Sequence, residues 1–327
     1  MKKFLCALLA CMLLILCCAC GSTAKGKDTR WPVTVGGVTF THAPRRVVTL
    51  SPALTDTLFA LGYGGRIVGV SDYCEPPDAA QDLAACGTAL MPDTDAILAL
   101  EPDLLFCSAA LPAKATKSLE TAGVQIIVVT RAETLDGIAE NYRLLCTAFE
   151  GSKTGDFKAE QLSLFMDVTL DYVNTAVLAA LTPEENKAIY LRQLPFVMAT
   201  GDTLEGQLLT AMGFNNQGDA HTGWNYPLEA EPELNPNYIF CDESIDLTAL
   251  QSSSYYKKTS AVTYERIFTF DARAFERQSP RMFFALEDLM KQTFPDAFKT
   301  PKPSFVIDLP KPEPELPKSW WQKLFSK

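Results

Sequence analysis

From Arg46 onward, short apolar runs alternate with segments whose apolar residues recur every three or four positions. Strands and helices that take turns in this way are the layout of a parallel sheet. Val47 to Leu50 predicts a strand, and Leu54, Leu58, Phe59 and Leu61 predict a helix that Gly62 ends. Ile67 to Val70 predicts the next strand. A short helix over Ala96 to Leu100 stops at Pro102 and leads to a strand over Leu104 to Cys107. Then come a helix over Ala113 to Ala122, a strand over Ile126 to Val129 and a helix over Thr134 to Phe149. Together they make one lobe, residues 45–150.

Residues 154 to 181 carry no Pro, and no Gly after Gly155, which predicts a single helix about 40 Å long at 1.5 Å per residue. A rod of that length, assigned to residues 151–183, suits a connection between two lobes. The alternation then resumes over residues 184–298. Strands are predicted at Ala188 to Leu191, Phe196 to Met198, Tyr238 to Cys241 and Ile267 to Phe270, with helices at Leu204 to Met212 and Pro280 to Thr293. The expected class is α/β, two Rossmann-like parallel-sheet lobes joined by one long helix. Residues 299–327 differ in kind. Pro301, Pro303, Pro310, Pro312, Pro314 and Pro317 favour a stiff, extended spacer. Trp320, Trp321, Leu324 and Phe325 then alternate with Lys318, Lys323 and Lys327, a pattern that suits either a membrane interface or a terminus packed on its own lobe.

The N-terminus changes the address. A basic start, an apolar run of about fifteen residues and a small, polar stretch read as an export signal over residues 1–19, followed by a tether over 20–44. Ala19 before Cys20, with Gly21 after it, resembles the bacterial lipoprotein box, which makes Cys20 the expected lipidation site; Cys17 or Cys18, or a plain secretory signal, stay open. The mature chain is then held on the outer face of a cell membrane without spanning it. Without residues 1–19 it carries 27 basic and 39 acidic residues, a net charge of −12, which argues against nucleic acid as a partner. Five cysteines remain in the body. Cys107, Cys146 and Cys241 lie in apolar or helical patterns and read as small core residues, whereas Cys74 and Cys86 either bridge or stay free.

The strand over Ile67 to Val70 runs directly into a polar turn that carries Asp72, Tyr73, Cys74 and Glu75. Ligands collect beyond the carboxyl ends of parallel strands, so this turn is a candidate for a binding cleft, and Tyr73 offers it a broad ring with a polar tip. Around it, "RRVVTLSPALTDTLFALGYGGRIVGVSDYCEPP" and "DAILALEPDLLF" resemble the first lobe of ABC-importer substrate-binding proteins for vitamin B12, haem and ferric siderophores. "PFVMATGDTLEGQLLTAMGFNN", "GWNYPLEAEPELNPNYIF" and "ERIFTFDARAFERQSPRMFFALEDLMKQTFPDAF" are similar to the second, so the likeness runs from Arg45 to Phe298.

The resemblance implies a ligand held between the lobes, and its vitamin B12-binding branch fits best. It implies Tyr73, Phe196, Trp224 and Arg277 as ligand contacts, with Ser51 and Pro52 opening the first helix at the cleft. Departures from that branch are Arg273, where an acid is expected, and Ala89 or Leu90, where a Trp is expected. The expected ligand is a corrinoid, with haem or a siderophore as the alternative and no resident cofactor. The partners implied are a permease with its ATPase, docked through Asp95 of the first lobe and Glu229 of the second, with Asp93 and Glu231 as neighbouring candidates. A monomer is expected. An enzyme is the competing class, and the chain holds only His42 and His221 as candidate bases. The stretch "GYGGR" reads as a helix stop and turn, so no phosphate-cradling loop supports that alternative. An adhesion lipoprotein is a third possibility, for which only the tail speaks.

Overall fold

A computed structural model of the chain describes residues 29–74, 83–227, 234–299 and 301–302. The export signal, Cys20, Glu229, Glu231 and nearly all of the Pro-rich tail lie outside the described residues.

The described chain opens with a hairpin, β1 (Val33–Val35) and β2 (Val38–Phe40), turned by Gly36 and Gly37 at φ of +56° and +79°. Two positive φ angles are what a tight hairpin turn requires, and glycine adopts them without strain. This corrects the expectation of a tether reaching residue 44. Trp31, Val33, Val35 and Val38 pack on the core and Phe40 is buried, so the hairpin belongs to the fold. "TVGGVTF" carried the signal, an alternating apolar pattern around a Gly-Gly pair.

The first lobe follows as β3 (Val47–Thr49), α1 (Pro52–Ala60), β4 (Ile67–Val70), β5 (Ala84–Ala85), α2 (Thr94–Ala99), β6 (Leu104–Cys107), α3 (Ala113–Thr121), β7 (Gln125–Val128) and α4 (Leu135–Glu150). Its five strands are all parallel in the order β5-β4-β3-β6-β7. Both faces of such a sheet are covered, which is why its strands read as unbroken apolar runs. Val47, Leu104 and Phe106 enter one core, while Val48, Leu105 and Cys107 enter another on the opposite face. Cys74 packs against the first and Cys86 lies within the second, so the sheet separates them and both are free thiols.

Helix α5 (Ser152–Ala180) is the long rod, about 44 Å at 1.5 Å per residue. By length and apolarity it could cross a membrane, but its apolar side is used inside the fold. Gly155 makes its close approach to α4 possible, since a Cβ there would lie 2.5 Å from the Cα of Thr147. Beyond it come β8 (Lys187–Gln193), β9 (Val197–Met198), α6 (Leu204–Ala211), β10 (Asn215–Asn216), β11 (Tyr238–Asp242), α7 (Leu247–Ser252), α8 (Ser260–Thr263), β12 (Ile267–Phe270), α9 (Arg273–Glu276) and α10 (Arg281–Thr293). Strands β10-β8-β11-β12 form a second parallel sheet, with β9 antiparallel on β8. One continuous core runs from Val47, Leu58 and Phe106, through Leu162, Phe165 and Val173 of α5, to Tyr190, Phe240 and Phe283. The two sheets are therefore fastened to the same rod by close packing.

Candidate ligand cleft

The loops that follow β3, β4, β6 and β7 leave the carboxyl edge of the first sheet together. They supply Ser51, Tyr73, Ser108 and Arg131 to one cavity of about 370 Å³. Helix α4 adds Asn141 and Tyr142, and the second lobe closes the space with Arg273, Glu276, Arg277 and Gln278. Both halves of the chain thus line one space at the end of a parallel sheet where ligands are expected.

Ser51 is fixed as the N-cap of α1, its Oγ accepting from the Leu54 N–H at 3.4 Å, and Pro52 occupies the first helical turn. Tyr73 leaves 74% of its surface to solvent. Its turn is held from behind: the Asp72 carboxylate accepts from the Gly87 N–H at 2.8 Å and the Asp72 N–H donates to the Gly87 carbonyl at 2.9 Å. Cys74 beside it lies 3.2 Å from the Thr55 hydroxyl, and burial pushes its thiol pKa up. Ala89 is buried while Leu90 and Met91 stand out into solvent, and none of the three is among the cavity lining.

The cavity floor joins the lobes. Gln278, buried and held at φ +52°, donates from Nε2 to the Ala132 carbonyl at 2.7 Å and accepts at Oε1 from the Ala132 N–H at 2.9 Å. Its own carbonyl accepts from the Tyr142 hydroxyl at 2.8 Å. Beside it, the Arg131 guanidinium meets the Glu205 carboxylate at 2.7 Å. Burial raises the Glu205 carboxyl, and Arg131 acts in the opposite sense without cancelling it. Farther out, Arg281 reaches Asp56 at 3.1 Å.

Of the expected contacts, Ser51, Pro52, Tyr73 and Arg277 come together in the cavity. Phe196 and Trp224 are not among its lining. Phe196 packs with Tyr226, Tyr255 and Tyr256 on the far face of the second sheet, where aromatic partners 4.7 to 6.4 Å away take up its ring. Trp224 sits at φ +63° with its ring 5.9 Å from that of Tyr190 and under the Arg192 guanidinium, 5.1 Å away. Arg192 in turn bonds Glu276 of the lining at 3.0 Å, so Trp224 is linked to the cavity wall through two contacts. Arg273 lines the cavity with its Nε held by Asp271 at 2.9 Å. Asp95 is exposed in the first turn of α2, and Asp93 caps that helix by accepting from the Ala96 N–H at 2.9 Å. Glu229 lies outside the described residues.

His42 is exposed, and His221 stacks edge-on to Tyr226 at 4.8 Å, away from the cavity lining. Among the described residues no group of three His, Cys, Asp or Glu side chains is placed to hold a metal ion. Sequence reasoning missed Arg131, Asn141, Tyr142, Glu276 and Gln278. Arg131 follows a strand end, the same signal that singled out Tyr73. Gln278 and Ala132 are 146 positions apart, and no local pattern marks their pairing.

A family profile described as periplasmic binding protein matches residues 47–274. The chain belongs to that family. Its two-lobed α/β architecture recurs in solved relatives. A vitamin B12-binding protein of Vibrio cholerae superposes with a TM-score of 0.55 at 22% identity, covering 79% of this chain and 100% of that one. A haem-binding protein of Roseiflexus sp. RS-1 superposes at 0.61 with 24% identity, covering 78% and 99%. By sequence, the chain is 26% identical over 304 residues to an ABC transporter substrate-binding lipoprotein of Bacillus subtilis, 87% of this chain and 95% of that one. It is 27% identical over 190 residues to a vitamin B12-binding protein of Vibrio campbellii, 57% of this chain and 66% of that one.

Proposed function

We propose that the protein is the extracytoplasmic receptor of an ABC importer, lipid-anchored at Cys20, that captures a corrinoid and hands it to a membrane permease without altering it chemically. The observation that carries this reading is the cavity lined by both lobes, whose wall brings the exposed Tyr73 ring together with the polar side chains of Ser51, Ser108 and Asn141. A flat, amide-fringed macrocycle needs an aromatic face and a few hydrogen-bonding groups at its edge. The curated relatives named for vitamin B12 and cobalamin support the same ligand class. Asp95, exposed on the first lobe, and Glu229 on the second are the proposed docking carboxylates, and charge pairs of this kind set orientation and encounter rate.

A second reading, haem or a ferric siderophore, is favoured by one feature. Arg131, Arg273 and Arg277 all line the cavity, and although Glu205 and Asp271 pair with the first two, three guanidinium groups along one wall suit a ligand with carboxylates. The two readings separate on titration of the soluble chain, lacking residues 1–20, with cyanocobalamin, haemin and a ferric siderophore while tryptophan fluorescence is followed. Trp224, two contacts from the wall, is the reporter. Saturable quenching by cyanocobalamin is expected. Saturation by haemin with no response to cobalamin moves the assignment to the second reading, and no response to any of the three overturns the receptor.

A further inference from the structure

The flank of α5 beside α10 carries an apolar track that the fold leaves open. Phe157 and Leu164 of α5 and Phe284 of α10 expose 63%, 42% and 47% of their surfaces. Val168 and Tyr172 continue the same line along the helix, half-buried. Phe284 packs on Phe165 with ring centroids 4.9 Å apart, so the track is continuous with the shared core.

The chain's own C-terminal portion arrives at this track and is fastened there. Phe298 meets Tyr172 edge-on at 5.5 Å. Four residues later the Lys302 ammonium bonds Thr169 Oγ1 at 3.0 Å and the Glu287 carboxylate at 2.6 Å, and lies over the rings of Phe165 at 5.2 Å and Phe284 at 5.8 Å. Glu287 is nearly buried, so this is a built anchor. From Tyr172 to Thr169 the chain runs toward the N-terminus of α5, antiparallel to the helix. The next seven residues are "PSFVIDL", Pro303 to Leu309, with apolar side chains at Phe305, Val306, Ile307 and Leu309. From Thr169 back to Phe157 the helix spans roughly 18 Å at 1.5 Å per residue. Seven extended residues span roughly 23 Å, so the segment matches the length of the open track.

We propose that residues 303–309 form a strap that lies antiparallel along α5 and covers Phe284, Leu164 and Phe157, clamping the rod that joins the lobes. A strap in this direction delivers residue 310 to the start of α5. There the Ser152 N–H donates to the Arg30 carbonyl at 3.2 Å, so the chain that comes from Cys20 enters at the same place. The Pro-rich spacer with its Trp320-Trp321 end would then leave the molecule beside the lipidated end.

The test is photo-crosslinking of the soluble full-length chain, with p-benzoylphenylalanine at position 164, followed by peptide mapping. Crosslinks within one chain to peptides containing residues 303–309 are expected. Crosslinks between two chains, or to lipid when anionic vesicles are present, with none to that segment, overturn the strap. A chain ending at Lys302 provides a second measurement. Amide exchange over residues 157–168 should rise about tenfold, equivalent to about 1.4 kcal/mol, and the Phe305→Asp, Ile307→Asp double variant should reproduce it. Unchanged exchange in both overturns the proposal.

Discussion

Replacing Gln278 tests the reading that the two lobes are latched across the cavity floor. Gln278→Ala removes both hydrogen bonds to Ala132, stranding its N–H and leaving its carbonyl with only the Arg131 Nη1 at 3.5 Å, in a setting where Ala132 is 7% exposed. An unsatisfied buried donor or acceptor costs about 1 to 3 kcal/mol, so the stranded N–H costs that much and the weakened carbonyl adds less than a second such penalty. The Tyr142 bond survives, because its acceptor is the backbone carbonyl of residue 278. Gln278→Gly loses the same two bonds but relieves a left-handed φ of +52°. Left-handed backbone costs a residue with a Cβ roughly 1 to 2 kcal/mol, and glycine's extra unfolded-state entropy returns about half of that. Glycine should therefore destabilise less than alanine by up to about 1 kcal/mol. Urea unfolding of the soluble, ligand-free chain followed by circular dichroism reads both values. An alanine variant within about 0.5 kcal/mol of wild type, the range of an ordinary surface substitution, would refute the latch.

Three further outcomes follow from individual contacts. Arg281→Ala strands the carboxylate of Asp56, whose side chain is 11% exposed, and should cost roughly 1.5 to 3 kcal/mol; the Asp56→Ala, Arg281→Ala double variant should be less destabilised than the sum of the singles, and strict additivity in urea unfolding would count against a direct pair. At Glu287, burial pushes the carboxyl up but hydrogen bonds from Lys291 and Lys302 outweigh it, leaving a lowered pKa. A lowered folded pKa contributes stability above the unfolded carboxylate range and loses it as pH falls through the folded value. Glu287→Gln should thus lower the melting temperature at pH 6 with a gap that narrows toward pH 3, and a pH-independent gap would exclude the linkage. Cys74 is half-buried and its thiol pKa is raised by burial, while Cys86, Cys107, Cys146 and Cys241 are buried. A maleimide at neutral pH should slowly label one thiol in the folded chain lacking residues 1–20 and all five in urea, whereas fast labelling at two or more sites in the folded chain would contradict the placement.

The larger elements were legible because each is dictated locally. Val47, Ile67, Leu104 and Ile267 open strands where the apolar runs begin, and Thr134 caps α4 by accepting from the Gly137 N–H at 3.0 Å. The short elements β5, β10, α7, α8 and α9 span two to six residues, too few for a period to register. Half of the cleft could be read for a related reason. Ser51, Tyr73 and, in principle, Arg131 sit at strand ends that the alternation locates. Gln278 depends on a partner 146 residues away and on a backbone conformation that the sequence "RQSP" does not announce. Phe196 and Trp224 show the converse. Their sequence positions match the family pattern, yet neighbouring rings and the Arg192 guanidinium hold them outside the described cavity wall.

The shared core restricts how such a cleft can open. Separating the lobes as rigid bodies about α5 would pull Phe165 from Phe283, whose ring centroids are 6.2 Å apart, and would break a core that includes residues of both sheets. Close-packed interiors do not deform continuously, so a wide hinge motion would cost far more than the polar contacts at the floor. Those contacts, Gln278 to Ala132, Arg131 to Glu205 and Gln207 Nε2 to the Glu133 carbonyl at 3.1 Å, span the lobes through polar groups. They can part and reform while the rod stays packed. Together with the Arg281–Asp56 pair and the Tyr142–Gln278 bond, these polar contacts are the cheaper ones to break, so they are the expected control point for access to the cavity. If binding requires the latched floor, a weakened latch lowers apparent affinity by the fraction of molecules that remain latched. Gln278→Ala should therefore lose affinity for the ligand along with stability, and unchanged affinity on titration would show that the floor stays latched without those bonds.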